Sequence, residues 1–338
     1  MPRTSQVLLD NRPSAEAQAS NFKMDTSDTA PLQPGQVLVR HHFLSLDPYM
    51  RGRMNDSKNY AAPQALGAVM IGGTAGEVVE SQSPKFAPGD KVVGMGGWQQ
   101  YSVVGADEPG ALRKVDTRQV PLSYYLGAVG MPGVTAWYGL TQIIKPQTGQ
   151  TVVVSAATGA VGSAFAALAK ARGCRAVGIA GGPDKCRYAV AELGFDACVD
   201  YKLHPDAASL SAALQQACPS GVDGYFENVG GMVLDAMLPR MNDFGRIAVC
   251  GMIAGYEGRP TPISYPALIL RSRLRVEGFI VSEHMDIWPT ALKELAELVA
   301  SGKLKPRESV ADGLDSAVEA FLGLLKGRNF GKQIVKLV

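Results

Sequence analysis

Residues 151–162 read Thr151-Val152-Val153-Val154-Ser155-Ala156-Ala157-Thr158-Gly159-Ala160-Val161-Gly162. The first five residues have the apolar, β-branched pattern of a buried strand, and a segment with helical periodicity follows the glycine-rich turn. A strand, a turn and a helix in this order are typical of a Rossmann phosphate-binding site, although Ala157 replaces its usual first glycine. Gly159 would let the backbone approach a pyrophosphate, and Gly162 would let the helix pack closely on the sheet. The stretch predicts nucleotide binding; an ordinary strand-to-helix turn is the alternative.

The segments around this turn extend the same pattern. Apolar segments that alternate with helical ones predict a parallel, doubly wound sheet, with strands at 152–154, 176–179, 198–199, 224–226, 246–250 and 274–278. Before it, short extended segments between Pro and Gly turns predict a small β barrel, with strands at 36–40, 76–80 and 91–93. After it, the pattern predicts helices at 288–301 and 316–325 and a last strand at 333–337. The fold class is therefore α/β.

The length of 338 residues predicts two domains. Because the last predicted strand has the pattern of the barrel, we expect the C-terminus to return to the N-terminal domain. The predicted boundaries are 1–127 with 305–338 for the barrel domain and 128–304 for the nucleotide-binding domain.

Composition excludes several classes of partner. The formal net charge is +2 without a long basic run, so we expect no nucleic-acid partner. No apolar run is long enough to cross a bilayer, so we expect no membrane partner. The five cysteines form neither CxxC pairs nor a disulfide-like framework, which predicts a reducing compartment and a cytoplasmic location.

The residues after the second predicted strand indicate which nucleotide binds. NAD sites commonly place a carboxylate there for the ribose hydroxyls, whereas NADP sites replace it with cations for the 2′-phosphate. Here the strand ends Ile179-Ala180-Gly181-Gly182, and Lys185 follows within the next turn, beside Asp184. Tyr201, after the third strand, adds a phenolic donor. The pattern favours NADPH; a solvated Lys185 and a Tyr201 at the edge of the core are the alternatives.

Histidine and cysteine spacing predicts no metal site. His41, His42, His204 and His284 form neither an HxxxH pair nor a close set with cysteine. His41 and His42 lie in an extended segment, where we expect structural roles. Tyr-x-x-x-Lys and Gly-x-Ser-x-Gly motifs are also absent.

Six motifs spread over the chain are more specific than the glycine turn. They are residues 44–51 (LSLDPYMR), 130–136 (GMPGVTA), 156–162 (AATGAVG), 226–231 (FENVGG), 250–253 (CGMI) and 329–332 (NFGK). Through them the chain resembles, over essentially its full length, the zinc-independent prostaglandin reductase and alkenal reductase family of the medium-chain dehydrogenases/reductases, which includes bacterial curcumin reductase-like proteins. Zinc-dependent members hold their metal with an early cysteine and a Gly-His-Glu segment, whereas this chain has Ser45-Leu46-Asp47 and Gly72 to Glu77 there.

The resemblance implies a GroES-like β-barrel catalytic domain, a Rossmann domain, an active cleft between them and a homodimer. It also implies site residues. Ala160, Val161, Gly162 and Ser163, with Gly159 before them, would meet the pyrophosphate. Lys185 and Tyr201 would meet the 2′-phosphate, and Asn228 a ribose or phosphate. The nicotinamide half would be bordered by Cys250, Gly251, Ile253, Tyr256, Phe279, Val281 and Asn329, with Thr135 as a further contact.

The resemblance implies NADPH-dependent reduction of the activated double bond of an enone or enal, with hydride reaching the β carbon. The resulting enolate needs a hydrogen-bond donor, for which Tyr256 is the candidate; the α proton would come from Tyr256 or from water. Tyr49 would orient the substrate. For both tyrosines, packing at the edge of the cleft is the alternative. Quinone reduction, a redox-silent NADPH-binding role and zinc-dependent alcohol oxidation are the competing functions.

Overall fold

The computed structural model describes residues 2–108 and 111–338 and divides the chain into two units. Unit 1 is formed by Met1–Gly127 with Glu308–Val338, and unit 2 by Ala128–Arg307. The second boundary therefore lies between Arg307 and Glu308. The boundary predicted from the sequence lies between residues 304 and 305. Leu304 is buried in the core of unit 2, and the Tyr188 hydroxyl donates to the Lys305 carbonyl at 3.3 Å. These contacts hold the connecting segment on unit 2.

The elements are named here in chain order. The strands are β1 (Arg3–Leu9), β2 (Phe22–Asp28), β3 (Gln36–Ser45), β4 (Thr74–Ser81), β5 (Lys91–Gly94), β6 (Tyr101–Gly105), β7 (Leu112–Lys114), β8 (Thr151–Ser155), β9 (Arg175–Ala180), β10 (Ala197–Asp200), β11 (Val222–Glu227), β12 (Met241–Val249), β13 (Arg275–Gly278), β14 (Glu308–Asp312) and β15 (Lys332–Lys336). The α-helices are α1 (Tyr49–Arg53), α2 (Met131–Tyr138), α3 (Ala160–Ala171), α4 (Pro183–Ala191), α5 (Ala207–Ala217), α6 (Gly231–Met237), α7 (Ala267–Arg271), α8 (Trp288–Ala300) and α9 (Ala317–Leu325). Among the described residues, no helix combines the length and apolarity that crossing a membrane requires.

Unit 1 is built around a mostly antiparallel sheet with the order β14-β15-β3-β4-β5-β7, in which β6 also pairs with β3. The C-terminal strand β15 runs antiparallel to β3, with Ile334 opposite Ser45. Among the described strands of unit 1, β14 and β15 alone pair in parallel, and β1 and β2 form a separate antiparallel pair. The return of the chain through β15 therefore makes unit 1 discontinuous in sequence.

His41 is a buried, structural member of β3. Its side chain is 1% exposed, and its Nε2 lies 2.8 Å from the Ser102 hydroxyl on β6. A Cβ on Gly96 would lie 2.3 Å from the imidazole ring, so only glycine leaves room for it. Burial, with a smaller contribution from His42, lowers the pKa of His41 to about 3. The imidazole is therefore neutral in the folded protein at ordinary pH.

The pKa of His41 predicts a loss of stability in mild acid. The His41 side chain binds a proton near pH 6.5 in the unfolded chain and only near pH 3 in the folded protein. The neutral imidazole therefore contributes its full stability above pH 6.5, and this contribution falls as the pH drops from 6.5 towards 3. Between pH 7 and pH 5 we expect a loss of about 2 kcal/mol from this group. Urea unfolding at both pH values measures how much the free energy of unfolding falls between pH 7 and pH 5. This fall should be smaller by about 2 kcal/mol in His41→Leu and unchanged in a His204→Gln control. An unchanged difference in His41→Leu would contradict the prediction.

Unit 2 contains six parallel strands in the order β10-β9-β8-β11-β12-β13. In chain order this is 3-2-1-4-5-6, the order of the Rossmann fold. The carboxyl ends of β8 and β11 are neighbours at the point where the strand order reverses. In doubly wound sheets, ligands bind in the crevice outside the strands at this point.

Both faces of this sheet are covered, as a parallel sheet requires. Val152 and Val154 pack in one apolar cluster with residues of α2, α3 and α8, while Val153 packs on the other face with residues of α5 and α6. All five residues of β8 are buried. The continuous apolar pattern of residues 151–155 therefore reflects burial on two faces, and it fixes the position of the turn that follows.

Candidate active site

The turn after β8 packs too closely to accept a side chain at Gly162. An ideal Cβ on Gly162 would lie 2.5 Å from the Ala156 carbonyl oxygen and 2.7 Å from the backbone of Ala157. Ala156 itself has a φ of 52°, which reverses the chain sharply at the end of the strand. Gly159 precedes the first residue of α3, whose initial amides, those of Ala160, Val161 and Gly162, have no acceptor within the helix. The turn thus offers backbone donors and the positive end of a helix dipole to an anion.

The hydroxyls of Ser163 and Thr135 donate hydrogen bonds to carbonyls of their own helices. Ser163 Oγ donates to the Ala160 carbonyl at 3.3 Å, and Thr135 Oγ1 donates to the Met131 carbonyl at 2.8 Å. Both side chains are buried. Their predicted contacts with a cofactor stay predictions.

Two lysines lie together beyond the ends of β9 and β10. Lys185 is half-buried on α4; burial lowers its pKa, and the neighbouring charge of Lys202 lowers it further. A Cβ on Gly181 would lie 2.8 Å from the Tyr201 ring and 3.0 Å from Lys202 Cε, so both side chains pack over this glycine. Two neighbouring ammonium groups are stabilised by a shared anion such as a phosphate. Lys202 is not among the residues predicted from the sequence, although its position beside Tyr201 is a signal for it.

The nearby carboxylates already have partners. Asp200 Oδ1 accepts hydrogen bonds from the amides of Gly182, at 2.8 Å, and Lys202, at 3.0 Å. Asp184, which lies beside Lys185 in sequence, is highly exposed and forms an ion pair with Arg187. Asp200 ends β10 and Asp184 lies on α4, so neither is a carboxylate at the end of β9.

Ser155 and Glu227 fix Asn228 where the strand order reverses. Ser155 Oγ donates to Glu227 Oε1 at 2.8 Å and accepts from the Asn228 amide at the same distance. Asn228 Nδ2 donates to the Ser155 carbonyl, also at 2.8 Å. Burial raises the pKa of Glu227. Sequence reasoning missed both Ser155 and Glu227, whose signal was a polar residue at the carboxyl end of each of two buried strands.

Hydrogen bonds join the loop after β12 to the loop after β11. The amides of Cys250 and Gly251 donate to the Glu227 carbonyl at 2.9 and 3.2 Å, and Ile253 donates to the Asn228 carbonyl at 3.2 Å. Burial, followed by the charge of Glu227, raises the pKa of Cys250 to about 12. Cys250 is therefore a packed thiol and not a nucleophile.

Tyr256 follows a short 3₁₀ turn, Ile253–Gly255, in this second loop. The chain folds back so that a Cβ on Gly251 would lie 3.1 Å from the Tyr256 hydroxyl oxygen. The phenol is half-buried. Its hydroxyl thus lies next to the carboxyl end of β12, on the same edge of the sheet as the glycine turn and Asn228.

Phe279 and Val281 follow β13. The Phe279 amide donates to the Val249 carbonyl at 3.4 Å, and its ring packs against Tyr138 with centroids 5.2 Å apart. Val281 is buried in the same core. These contacts place the loop after β13 beside the loop after β12. The predicted backbone contacts of Phe279 and Val281 to the nicotinamide carboxamide stay predictions.

Tyr49 and Asn329 belong to unit 1. Tyr49 begins α1, and burial raises the pKa of its phenol. Asn329 Nδ2 donates to the Gly331 carbonyl at 2.7 Å. The roles predicted for these two residues, in substrate orientation and cofactor binding, stay predictions.

Asp47 and Lys332 form a buried ion pair in unit 1. Lys332 Nζ donates to Asp47 Oδ1 at 2.7 Å and to the Leu46 carbonyl at 2.8 Å, while Ser45 Oγ donates to Asp47. An ammonium group thus lies against the Asp47 carboxylate, which also accepts a hydrogen bond from Ser45. Across residues 2–108 and 111–338, no group of three or more His, Cys, Asp or Glu residues could hold a metal ion.

Comparisons with known proteins match both parts of the chain. The model for the N-terminal domain of oxidoreductases matches residues 5–112, and the model described as zinc-binding dehydrogenase matches residues 160–297. The chain is 43% identical to NADPH-dependent curcumin reductase of Escherichia coli (strain K12), with 99% of this chain and 97% of that protein covered. It is 41% identical to 2-alkenal reductase (NADP(+)-dependent) of Nicotiana tabacum, with 98% and 96% covered.

A solved structure agrees in fold and sequence. The crystal structure of CurA in complex with NADPH from Vibrio vulnificus superposes with a TM-score of 0.91 at 40% identity, and the match covers 99% of each chain. The chain therefore belongs to the medium-chain dehydrogenase/reductase superfamily, in its family of curcumin, alkenal and prostaglandin reductases.

Proposed function

We propose that this protein reduces the activated carbon–carbon double bond of enones and enals with NADPH. The observation that carries the proposal is the near full-length similarity, at 41–43% identity, to reductases named for curcumin and 2-alkenals. The fold supports it with a phosphate-binding turn, two loops joined beside it and a tyrosine hydroxyl on the same edge of the sheet.

The residues present fit NADPH. We assign the pyrophosphate to the turn and first amides of α3, from Gly159 to Ser163. Because Gly162 has no side chain, the helix begins close to the strand and its first amides are available to an anion. We assign the 2′-phosphate to Lys185, Lys202 and Tyr201, since Tyr201 and Lys202 pack over Gly181 and the charge of Lys202 acts on Lys185. Asn228, held by Ser155, is the candidate for ribose or phosphate. When bound, NADPH supplies the hydride.

The protein's own contribution to the chemistry is to stabilise the negative charge that develops on the substrate. An enone that accepts hydride at its β carbon develops an enolate, which a nearby hydrogen-bond donor stabilises. We assign this role to the Tyr256 hydroxyl. The α proton comes from Tyr256 or from water, because Cys250 is a packed thiol.

We propose further that the reaction needs no zinc. Asp47 is already engaged by Lys332 and Ser45, and Ser45 stands where a cysteine ligand would be expected. Dialysis against a chelator should leave turnover unchanged, whereas loss of turnover that added zinc restores would overturn this proposal. A homodimer and a cytoplasmic location stay predictions.

The function is tested by NADPH consumption against enals, linear enones, ring-bearing dienones and quinones. We expect rapid consumption with the conjugated carbonyl compounds, and products that are heavier by two hydrogen atoms at the former double bond. Consumption with quinones alone would make the protein a quinone reductase. Tight NADPH binding without consumption on any of these compounds would indicate a redox-silent binding protein.

Replacement of Lys185 by alanine should weaken NADPH much more than NADH. A charged hydrogen bond to the 2′-phosphate contributes about 1.5–3 kcal/mol, so we expect the KM for NADPH to rise about 10–150-fold. NADH lacks that phosphate, and its KM should stay within about twofold. Arg187→Ala, on the same helix but paired with exposed Asp184, is the matched control and should change neither constant. Equal losses for NADPH and NADH in Lys185→Ala would contradict phosphate recognition by this lysine.

A further inference from the structure

Two cysteines meet beside the proposed 2′-phosphate site. Cys186 lies in the first turns of α4, directly after Lys185, and Cys198 lies in β10, shortly before Tyr201 and Lys202. The Cys198 thiol donates a hydrogen bond to Cys186 Sγ at 3.3 Å. The two residues are 12 positions apart in sequence and belong to different elements. Their spacing is no CxxC motif, so the sequence alone gave no reason to pair them.

The environment of the pair divides the roles between the two thiols. The hydrogen bond from Cys198 lowers the pKa of Cys186, whose position near the start of a helix, between Lys185 and Arg187, favours the thiolate in the same direction. Donation of that bond and burial raise the pKa of Cys198. Both side chains are partly exposed. Cys186 therefore has the greater thiolate character of the two, and the Cys198 sulfur lies 3.3 Å from it.

The other three cysteines lack these features. Burial raises the pKa of Cys174, that of Cys218 to about 11 and that of Cys250 to about 12. None has a cysteine partner among the described contacts. Cys174 and Cys218 are buried, so they are the internal controls for any reaction at Cys186.

We propose that Cys186 and Cys198 form a reversible intramolecular disulfide that lowers the affinity of the protein for NADPH. The oxidant is a hydroperoxide. The Cys186 thiolate attacks one oxygen, the O–O bond breaks, and the other oxygen leaves as an alcohol or water after taking up a proton. The resulting sulfenic acid is attacked by the sulfur of Cys198, which releases water as the S–S bond forms. Two thiols lose two electrons and two protons, and the peroxide gains them.

The effect on the cofactor rests on the proposed NADPH site and follows from what can move. A disulfide needs sulfur atoms about 2.05 Å apart, which is closer than the present 3.3 Å. Cys198 lies in β10, which pairs with β9. Its sulfur packs against β9, because a Cβ on Gly178 would lie only 3.3 Å from it. The start of α4 is therefore the part that shifts, and Lys185 shifts with it relative to Lys202.

Mass spectrometry of the full-length protein tests the disulfide directly. After treatment with hydrogen peroxide and before alkylation or reduction, we expect the intact chain to be lighter than the untreated chain by two hydrogen atoms. Trypsin should release Cys186-Arg187 linked to residues 188–202. Cys186→Ser and Cys198→Ser should each abolish this linked peptide, and Cys174→Ser should keep it. A Cys186 that is oxidised to sulfinic acid without the linked peptide would overturn the proposal.

Kinetics on the same samples test the coupling to the cofactor. Oxidation should raise the KM for NADPH about tenfold, within the usual range of coupling between two sites, and dithiothreitol should restore it. The KM for NADH should not change, and in Cys186→Ser peroxide should leave the KM for NADPH unchanged. A linked peptide with an unchanged KM for NADPH would overturn the regulatory role. If the reduced protein itself fails to distinguish NADPH from NADH, the proposed cofactor site is wrong, while the linked peptide still decides the disulfide.

Discussion

Lys332→Met is expected to lower the free energy of unfolding by about 3–5 kcal/mol. The Lys332 side chain is 3% exposed and that of Asp47 is 9% exposed, and their charged atoms are 2.7 Å apart. Methionine has a similar length but no charge, so it would leave the Asp47 carboxylate buried without its cation. Breaking a buried pair by removing one partner is costly for this reason. Urea unfolding of the purified protein, followed by far-UV circular dichroism, measures the loss.

Two further variants show whether the loss comes from the unpaired charge. Lys336→Met changes an exposed lysine at the end of the same strand and should alter stability by less than about 0.5 kcal/mol. Asp47→Asn in the Lys332→Met background should recover part of the loss, because the amide carries no charge. A Lys332→Met protein within about 1 kcal/mol of the original would show that the pair contributes little to stability.

Tyr256→Phe should lower kcat by about 10²–10⁴-fold, the usual contribution of a positioned proton donor. The change removes only the hydroxyl oxygen, which lies beside Gly251 on the ligand edge of the sheet. Because the ring remains, the KM for NADPH should change by less than about threefold. Steady-state kinetics with an enone substrate measure both constants.

Tyr265→Phe is the matched control for this variant. Tyr265 is 57% exposed and lies farther along the same segment, so its hydroxyl should not affect turnover. Unchanged kcat in Tyr256→Phe would mean that water supplies the proton and that Tyr256 does not stabilise the enolate. A large rise in the KM for NADPH with unchanged kcat would instead make Tyr256 a cofactor contact.

Some elements were hard to predict because their pattern is weak. β14 (Glu308–Asp312) has no buried residue, and β1 and β2 form a separate pair with many polar residues. Strands of this kind carry little of the apolar alternation by which a strand is recognised. Their pairing partners, and not their own composition, make them strands.

The sequence by itself determined the alternation of strands and helices in unit 2 and the position of the phosphate turn. Both depend on local features: the period of buried residues, and a glycine at position 162 where no side chain fits. It also indicated Lys185 and Tyr201, because residues at strand ends in this fold lie at predictable places.

Only the tertiary structure decided which distant side chains meet. Asp47 and Lys332 are 285 residues apart and pair because β15 lies beside β3. Cys186 meets Cys198, and Lys202 comes close to Lys185, because α4 lies over the ends of β9 and β10. Such contacts depend on how whole elements pack, which no local pattern encodes. The glycine turn therefore indicated that a nucleotide binds, and the packing around it showed the second lysine and the thiol pair proposed to control that binding.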